Sequence, residues 1–300
     1  SDLSGILSAA DAACYAAKEA GRNRVHVYSA DDEELLKRHA EMGWAVRLSE
    51  AIEHDQFELY YQPIRAVAPT ATGTTKSIRP ASISIEVLLR LVPPSGPVIG
   101  PDIFLPAAER YGMGTELDRW VVGHTLAWLN EHASQLDDID VCSLNISGTS
   151  LGDAQFAEFT INAVQSCAID PQRICFEITE TAAIAHLFNA QTFIKALQAL
   201  GCRFALDDFG SGFSSFAYLK NLSVDFLKID GTFIKNLVDD PVDREMVRSI
   251  NEIAHMMGKK TVAEFVQSEA AFETLRVIGV DFAQGQFIGA AQPLARLFPT

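Results

Sequence analysis

The chain has 300 residues, of which 48% are apolar, enough for a large core: two ordinary domains or one barrel of about 250 residues. Acidic residues outnumber basic ones by 39 to 24, a net charge of −15. That balance excludes a general nucleic-acid surface, which needs Lys and Arg to displace counterions, but not a small phosphodiester held by metal ions. Five cysteines lie scattered, an odd number with no C-x-x-C, and read as reduced thiols of a cytoplasmic protein. No run approaches the roughly 18 apolar residues of a membrane span, though a full-length protein could still be anchored.

Residues 6–20 are Ala-rich and helical in pattern, and Gly21 stops the run as a C-cap would. Arg24 to Tyr28 reads as one short strand. One helix and one strand cannot bury a core, so this piece looks cut from a larger domain. Asp31-Asp32-Glu33-Glu34 then opens a predicted connector helix at its positive end, continuing loosely to about His54. From Phe57 the rhythm changes. Strand candidates at 57–63, 82–88, 140–146, 173–178, 202–207, 225–229, 260–264 and 281–284 alternate with helices such as 103–111, 116–132, 189–200, 241–257 and 268–278. Such alternation implies parallel strands with crossover helices. It fits a (β/α)8 barrel better than an open sheet. Residues 69–80 and Pro93-Pro94-Ser95-Gly96-Pro97 read as loops.

The chemistry collects at strand ends. Phe204-Ala-Leu206 stops in two adjacent carboxylates, Asp207 and Asp208, followed by Gly-Ser-Gly. Alone, the pair reads as a solvated turn. Yet Glu86, Asn145, Glu177, Lys228, Glu264 and Gln284 each close or follow another apolar run. Parallel barrel strands would bring all of them to the C-terminal mouth, where barrel active sites lie. Any one of them read singly is a satisfied polar group or a helix cap. As a set they are oxygen donors with one lysine, without His or Cys, which favours Mg²⁺ or Mn²⁺ over zinc. No G-x-S-x-G or Cys/His arrangement suggests a covalent nucleophile.

Residues 46–300 closely resemble the EAL domain, the cyclic-di-GMP phosphodiesterase and receptor family. The motifs that carry the resemblance are Glu86-Val87-Leu88-Leu89-Arg90 (the family has E-A-L-L-R), Phe104-Leu-Pro-Ala-Ala-Glu109, Asn145-Ile-Ser147 and Glu177-Ile-Thr-Glu180. They continue with Asp207-Asp-Phe-Gly-Ser-Gly212, Lys228-Ile-Asp230, Ala263-Glu264 and Gln284-Gly285. Residues 1–28 resemble the last helix and strand of a GGDEF (diguanylate cyclase) domain, without its G-G-[DE]-E-F loop, and 29–45 would be the connector.

The resemblance implies a (β/α)8-like barrel whose first strand runs antiparallel to the rest. It implies hydrolysis of cyclic-di-GMP to linear pGpG with two Mg²⁺ or Mn²⁺ ions. Glu86, Asn145, Glu177 and Asp207 are similar to ligands of one ion, with Asp207 bridging to a second beside Asp208 and Glu264 close by. Lys228 is similar to a residue that holds the attacking water. Glu180 resembles the anchor of the loop after Asp208. Gln62 and Arg90 resemble ligand contacts, and Gln284 a positioning group. The family also implies a homodimer and, in the full-length protein, upstream GGDEF and sensory domains. A non-catalytic cyclic-di-GMP receptor is the alternative.

Three departures stand out. Val87 replaces the family's Ala and should face away from the mouth. Ala263-Glu264-Phe265-Val266-Gln267 replaces A-E-G-V-E, and Gln286 stands where an aromatic residue is common. If a helix begins after Glu264, Gln267 shares its face and acts on the site from behind the ligands.

Overall fold

The central strands carry apolar side chains on both faces, the pattern of a parallel sheet covered on both sides. In β4 (Ile174–Thr179) every residue but Thr179 is buried. The computed structural model describes residues 33–67, 83–211 and 216–298. The expected terminal helix and strand within 1–28, and the whole of the loop expected at 69–80, lie outside those residues. The chain divides into two units, one of residues 1–57 with 91–113 and one of 58–90 with 114–300.

In the first unit, α1 (Glu33–Glu53) packs against α2 (Pro101–Arg110). Phe104 is fully buried, its ring centroid 6.5 Å from that of Trp44 and 5.9 Å from that of Phe57. Leu91 and Ile99 exchange two backbone hydrogen bonds across the Pro-rich turn between them.

The second unit is the barrel. Its strands are β1 (Phe57–Ala66), β2 (Ile83–Leu91), β3 (Ile139–Ile146), β4, β5 (Arg203–Phe209), β6 (Phe226–Ile229), β7 (Lys260–Ala263), β8 (Phe282–Gln284) and the short β9 (Gln292–Pro293). The order is β2-β3-β4-β5-β6-β7-β8-β1-β9, and a β2–β1 pairing closes the ring. Neighbours from β2 to β8 are parallel, whereas β1 runs antiparallel to β8, as expected from the sequence. The crossover helices are α3 (Gly114–Glu131), α4 (Gly148–Leu151), α5 (Ala154–Gln165), α6 (Glu180–Ala185), α7 (Leu187–Gln198), α8 (Phe216–Leu219), α9 (Gly231–Lys235), α10 (Pro241–Met256) and α11 (Glu269–Ile278). Their starts are written in sequence: the side chains of Asp153, Asp240 and Ser268 accept backbone N–H bonds at the first turns of α5, α10 and α11. Gly279 ends α11 in a left-handed conformation (φ 91°). Phe193 of α7 packs on Phe176 and Phe204 of the sheet and on Phe156 of α5, with centroids 6.0–6.1 Å apart, tying the outer layer to the strands.

Two backbone irregularities sit at the mouth. Between Leu206 and Phe209, β5 advances three residues while its partner β6 advances two, from Leu227 to Ile229. The extra residue makes a bulge, and Asp208 takes φ 54° within it. After β7, Phe265 takes φ 56°, and Val266 N–H then bonds to the Gln284 carbonyl. Gly285 lies so close to this segment that a Cβ there would sit 2.2 Å from Val266 N. Only glycine fits.

Candidate active site

In a regular strand, Asp207 and Asp208 would point to opposite faces. The bulge re-aims one of them, so carboxylate oxygens of Asp207, Asp208 and Glu264 all lie within 4.8 Å of one another. Beside this trio stands Lys228, whose side chain is 1% exposed. Its Nζ lies 2.5 Å from Glu177 Oε2, 2.8 Å from Glu264 Oε1, 3.1 Å from Asp207 Oδ1 and 3.3 Å from Glu86 Oε2. Register sets these positions, since Asn145 and Glu177 are direct partners across β3 and β4. Asn145 Nδ2 donates to Glu86 Oε1 at 2.6 Å, and Gln284 Nε2 donates to Glu86 Oε2 at 2.6 Å. Gln284 Nε2 also lies 3.2 Å from Gln62 Oε1, and Gln62 Nε2 donates to the Gly289 carbonyl at 3.1 Å. The seven strand ends therefore converge as expected.

Two expected site residues, Glu180 and Arg90, lie outside this cluster. Glu180, buried at the start of α6, accepts from Gly210 N–H at 2.9 Å and from the Tyr218 hydroxyl, so it grips both flanks of the segment after β5. Arg90 lies with its guanidinium 5.4 Å from the Tyr60 ring centroid, and its Nη1 donates to the Leu89 carbonyl. Gln267 is exposed and lines the cleft above the carboxylates, but it follows an irregular segment, because α11 starts only at Glu269. The helical face that would have joined Gln267 to Glu264 does not form. Ser268 caps the helix one residue later, and the left-handed Phe265 prevents an earlier start. Val87 is buried, consistent with its facing away from the mouth.

The electrostatics are unbalanced. Five carboxylates (Glu86, Glu177, Asp207, Asp208 and Glu264) face one ammonium. Burial lifts the Glu264 carboxyl well above the usual carboxylate range, against the pull of Lys228 and with a push from Asp207 and Glu86. Burial raises Glu177 in the same way. Asp208 is pushed up to about 6 by burial, then by Asp207 and Asp230. Glu86 goes the other way. Burial works against its charge, but the Lys228 ammonium and the Gln284 and Asn145 hydrogen bonds hold it below the usual range. Lys228 loses hydration on burial, yet its carboxylate neighbours, Asp207 and Glu177 foremost, raise it well above an ordinary lysine. Two buried oxygens at the centre, Asp207 Oδ1 and Gln284 Oε1, lack a hydrogen-bond partner. For Asp207 Oδ1 the nearby ammonium is within ion-pair distance but off hydrogen-bonding alignment. Surplus negative charge, oxygen-only donors and unpartnered buried oxygens together fit divalent hard cations.

Above the carboxylates opens a cleft of ≈ 570 Å³. Glu86, Asp208, Glu264, Gln284 and Gln62 line its base, and Asp230, Thr232, Lys235, Phe265 and Gln286 contribute to its wall. That volume suits a small ligand rather than a polymer. Lys235, Thr232 and Asp230 were not singled out for this site from sequence. Asp230 caps the short α9, Thr232 lies in its first turn and Lys235 is its last residue; the Asp230 cap on Thr232 N–H (2.7 Å) is the one local signal that marked the turn.

The family model for the EAL domain matches residues 45–291. The chain belongs to the EAL domain family. It is similar to the cyclic di-GMP phosphodiesterase PdeB of Shewanella oneidensis, 42% identical over 290 residues, which are 97% of this chain and 33% of that protein. It is also similar to the cyclic di-GMP phosphodiesterase PdeF of Escherichia coli, 37% identical over 248 residues, 83% of this chain and 32% of that protein. The chain thus spans about a third of the length of these curated relatives. Among solved structures, the PaMucR phosphodiesterase in complex with c-di-GMP superposes with a TM-score of 0.75 at 30% identity, over 85% of this chain and all of that one. The FimX EAL domain from Pseudomonas aeruginosa bound to c-di-GMP gives a TM-score of 0.73 at 28% identity, over 83% of this chain and 96% of that one. Among the described residues of this EAL domain, no helix is long and apolar enough to cross a membrane. Three of its four described free cysteines are buried.

The position of Lys228 leads to a stability prediction. In metal-free EAL protein its ammonium offsets the four carboxylates around it, and removing one partner of a buried ionic cluster typically costs roughly 3–5 kcal/mol. Lys228→Ala should lower stability by about that much in chelator, measured by urea denaturation, and added Mn²⁺ should restore more of it than in wild type. Equal stability of the two proteins in chelator would show that the ammonium does not hold the carboxylates together.

Proposed function

We propose that this chain is a cyclic-di-GMP phosphodiesterase that hydrolyses one phosphodiester to give linear 5′-pGpG. The observation that carries the reading is the cluster of five carboxylates and one lysine, three of whose carboxylates, Glu86, Asp208 and Glu264, line a nucleotide-sized cleft. Family membership and relatives named as cyclic di-GMP phosphodiesterases support it.

Two Mg²⁺ or Mn²⁺ ions are proposed as cofactors, held by Glu86, Asn145, Glu177 and Asp207 on one side and by Asp207 and Asp208 on the other. When bound, such ions polarise the phosphate and lower the pKa of water. The chain's own part is positional and acid–base. Glu264, at the cleft base and 2.8 Å from Lys228, accepts the proton of the attacking water. Lys228 stays charged and offsets the negative charge that grows on the phosphoryl oxygens as the water oxygen bonds to phosphorus. The P–O3′ bond then breaks, the 3′-oxygen leaves as a hydroxyl by taking a proton from solvent, and Glu264 returns its proton to solvent. Gln284 and Asn145 fix the Glu86 carboxylate through one oxygen each. Glu180 positions the segment that carries Asp208 through Gly210 and Tyr218. Gln62, at the cleft base, and Arg90 would contact the ligand, with Arg suited to phosphate or guanine.

The wider organisation proposed is a GGDEF remnant over 1–28, a connector over 29–45 and the EAL domain over 46–300, within a longer cytoplasmic or membrane-anchored signalling protein. A homodimer is proposed through the helices beside the segment that follows Asp208. In support, Phe188 of α7 is 79% exposed and Ile184 of α6 is 45% exposed.

Purified chain incubated with cyclic-di-GMP and Mg²⁺ or Mn²⁺ should accumulate pGpG by chromatography, and exhaustive chelation should abolish it. Full activity after chelation would remove the metal mechanism, and ligand binding without product in either metal would leave a receptor. Sedimentation velocity should show a dimer in wild type and a monomer in Phe188→Glu. A wild-type monomer at high concentration rules the dimer out.

A further inference from the structure

Asn145 reaches Glu86 through its side-chain amide one residue before β3 ends. The ladder to β4 stops at Ile146, opposite Ile178, so the sheet does not fix Ser147, the next residue. Ser147 is the N-cap of α4, with extended backbone (φ −69°, ψ 154°). A serine there ordinarily turns its hydroxyl onto the first N–H groups of its own helix, and Ser147 does not. Its Oγ donates instead to Asp118 Oδ2 on α3 at 2.6 Å, and its backbone N–H donates to the same oxygen at 2.8 Å. Ser150 Oγ, fully buried, donates to that oxygen as well, at 2.6 Å. A hydroxyl has one proton, so Ser147 Oγ, having given its own to Asp118, accepts from Thr149 Oγ1 at 2.8 Å. Gly114, at the start of α3, leaves room for this approach: a Cβ there would stand 2.7 Å from Thr149 Oγ1 and 2.9 Å from Ser147 Oγ. Three donors thus converge on one carboxylate oxygen just past the strand end. Asp118, Ser147 and Ser150 stand outside the cleft lining.

Resting on the reading of the carboxylate cluster as a cation site, we propose that Asp118 is a positioning residue for that site. By holding Ser147 and Ser150 it sets where β3 ends, and so where the Asn145 amide stands against Glu86 and Glu177. The orientation of that amide matters. Its Nδ2 donates to Glu86, which leaves Oδ1 as the atom to face a cation. A donor group serves a cation only when held to within about half an ångström, and groups behind the ligands supply that precision. A carboxylate suits the task, because hydrogen bonds to an ionised acceptor are shorter and stronger than neutral ones. Without it, the buried Ser150 hydroxyl and the Ser147 N–H would need other partners, and the strand end would shift to find them.

The test compares the chain with its Asp118→Ala and Asp118→Asn variants, and with Asp153→Ala, which removes the carboxylate cap of α5 instead. Calorimetric titration of Mn²⁺ into chelator-treated protein should show binding about tenfold weaker in Asp118→Ala. Asp118→Asn, which keeps one acceptor oxygen, should lie between it and wild type, and Asp153→Ala should match wild type. In metal-free protein the Ser147 amide should exchange hydrogen faster in Asp118→Ala than in wild type. A double-variant cycle shows whether the effect runs through Asn145: added to Asn145→Ala, Asp118→Ala should weaken Mn²⁺ binding by less than about twofold more. Wild-type Mn²⁺ affinity in Asp118→Ala overturns the proposal. So does an equal loss in Asp153→Ala, or a full tenfold loss on top of Asn145→Ala. If Asp118→Ala does not fold, wild-type affinity in Asp118→Asn overturns it and weakened binding supports it. Wild type that binds no Mn²⁺ overturns the underlying cation reading, and the proposal with it, even where the Ser147 amide behaves as expected.

Discussion

The gathering of five carboxylates, three of them buried, beside one buried lysine is the constraint that organises this barrel. Gathering like charges in a low-dielectric pocket is unfavourable, and a single ammonium cannot neutralise them. The fold meets that cost partly by raising the proton affinity of Glu177, Asp208 and Glu264. It meets it partly by hydrogen bonds from Asn145 and Gln284, which keep Glu86 charged. What remains is an incomplete cluster, with buried oxygens on Asp207 and Gln284 lacking partners. A site in this state favours cations, and the cleft above it is sized for what those cations would hold.

The backbone carries its share of the strain at the same place. Of the three non-glycine residues with positive φ among the described residues, Asp208 and Phe265 both lie at the mouth. The β5 bulge turns adjacent aspartates toward one point, and the kink after β7 swings Phe265 into the cleft wall while Val266 rejoins the ladder through Gln284. The close approach of Gly285 to Val266 locks that kink. Irregularity at a strand end is where barrels place chemistry, because it aims side chains without disturbing the packed interior.

Much of this was legible in the sequence. The strand–helix alternation gave the barrel, and polar residues closing apolar runs gave the convergence at one mouth. The antiparallel first strand came from family resemblance, since β1 alone carries no signal for its direction. Strand and helix limits shifted by a few residues: β5 runs on to Phe209, past the Asp pair that looked like its end. A hydrophobic pattern cannot reveal a bulge, because Asp208 breaks the pattern whether the strand ends there or only kinks. The misplaced helix before Gln267 has the same origin. Spacing suggested a helical face, but the left-handed Phe265 and the Ser268 cap delay α11. Lys235 stayed hidden because its place in the cleft depends on where α9 packs, which no local pattern records.

The central claim is that the carboxylate cluster is built to take divalent cations at Asp207. Calorimetric titration of Mn²⁺ into the chelator-treated chain tests it most directly. The account predicts saturable binding of two ions per chain in wild type and its loss in Asp207→Asn with the fold intact by circular dichroism. Wild-type protein that binds no Mn²⁺, or an Asp207→Asn variant that binds it as tightly, would contradict the account.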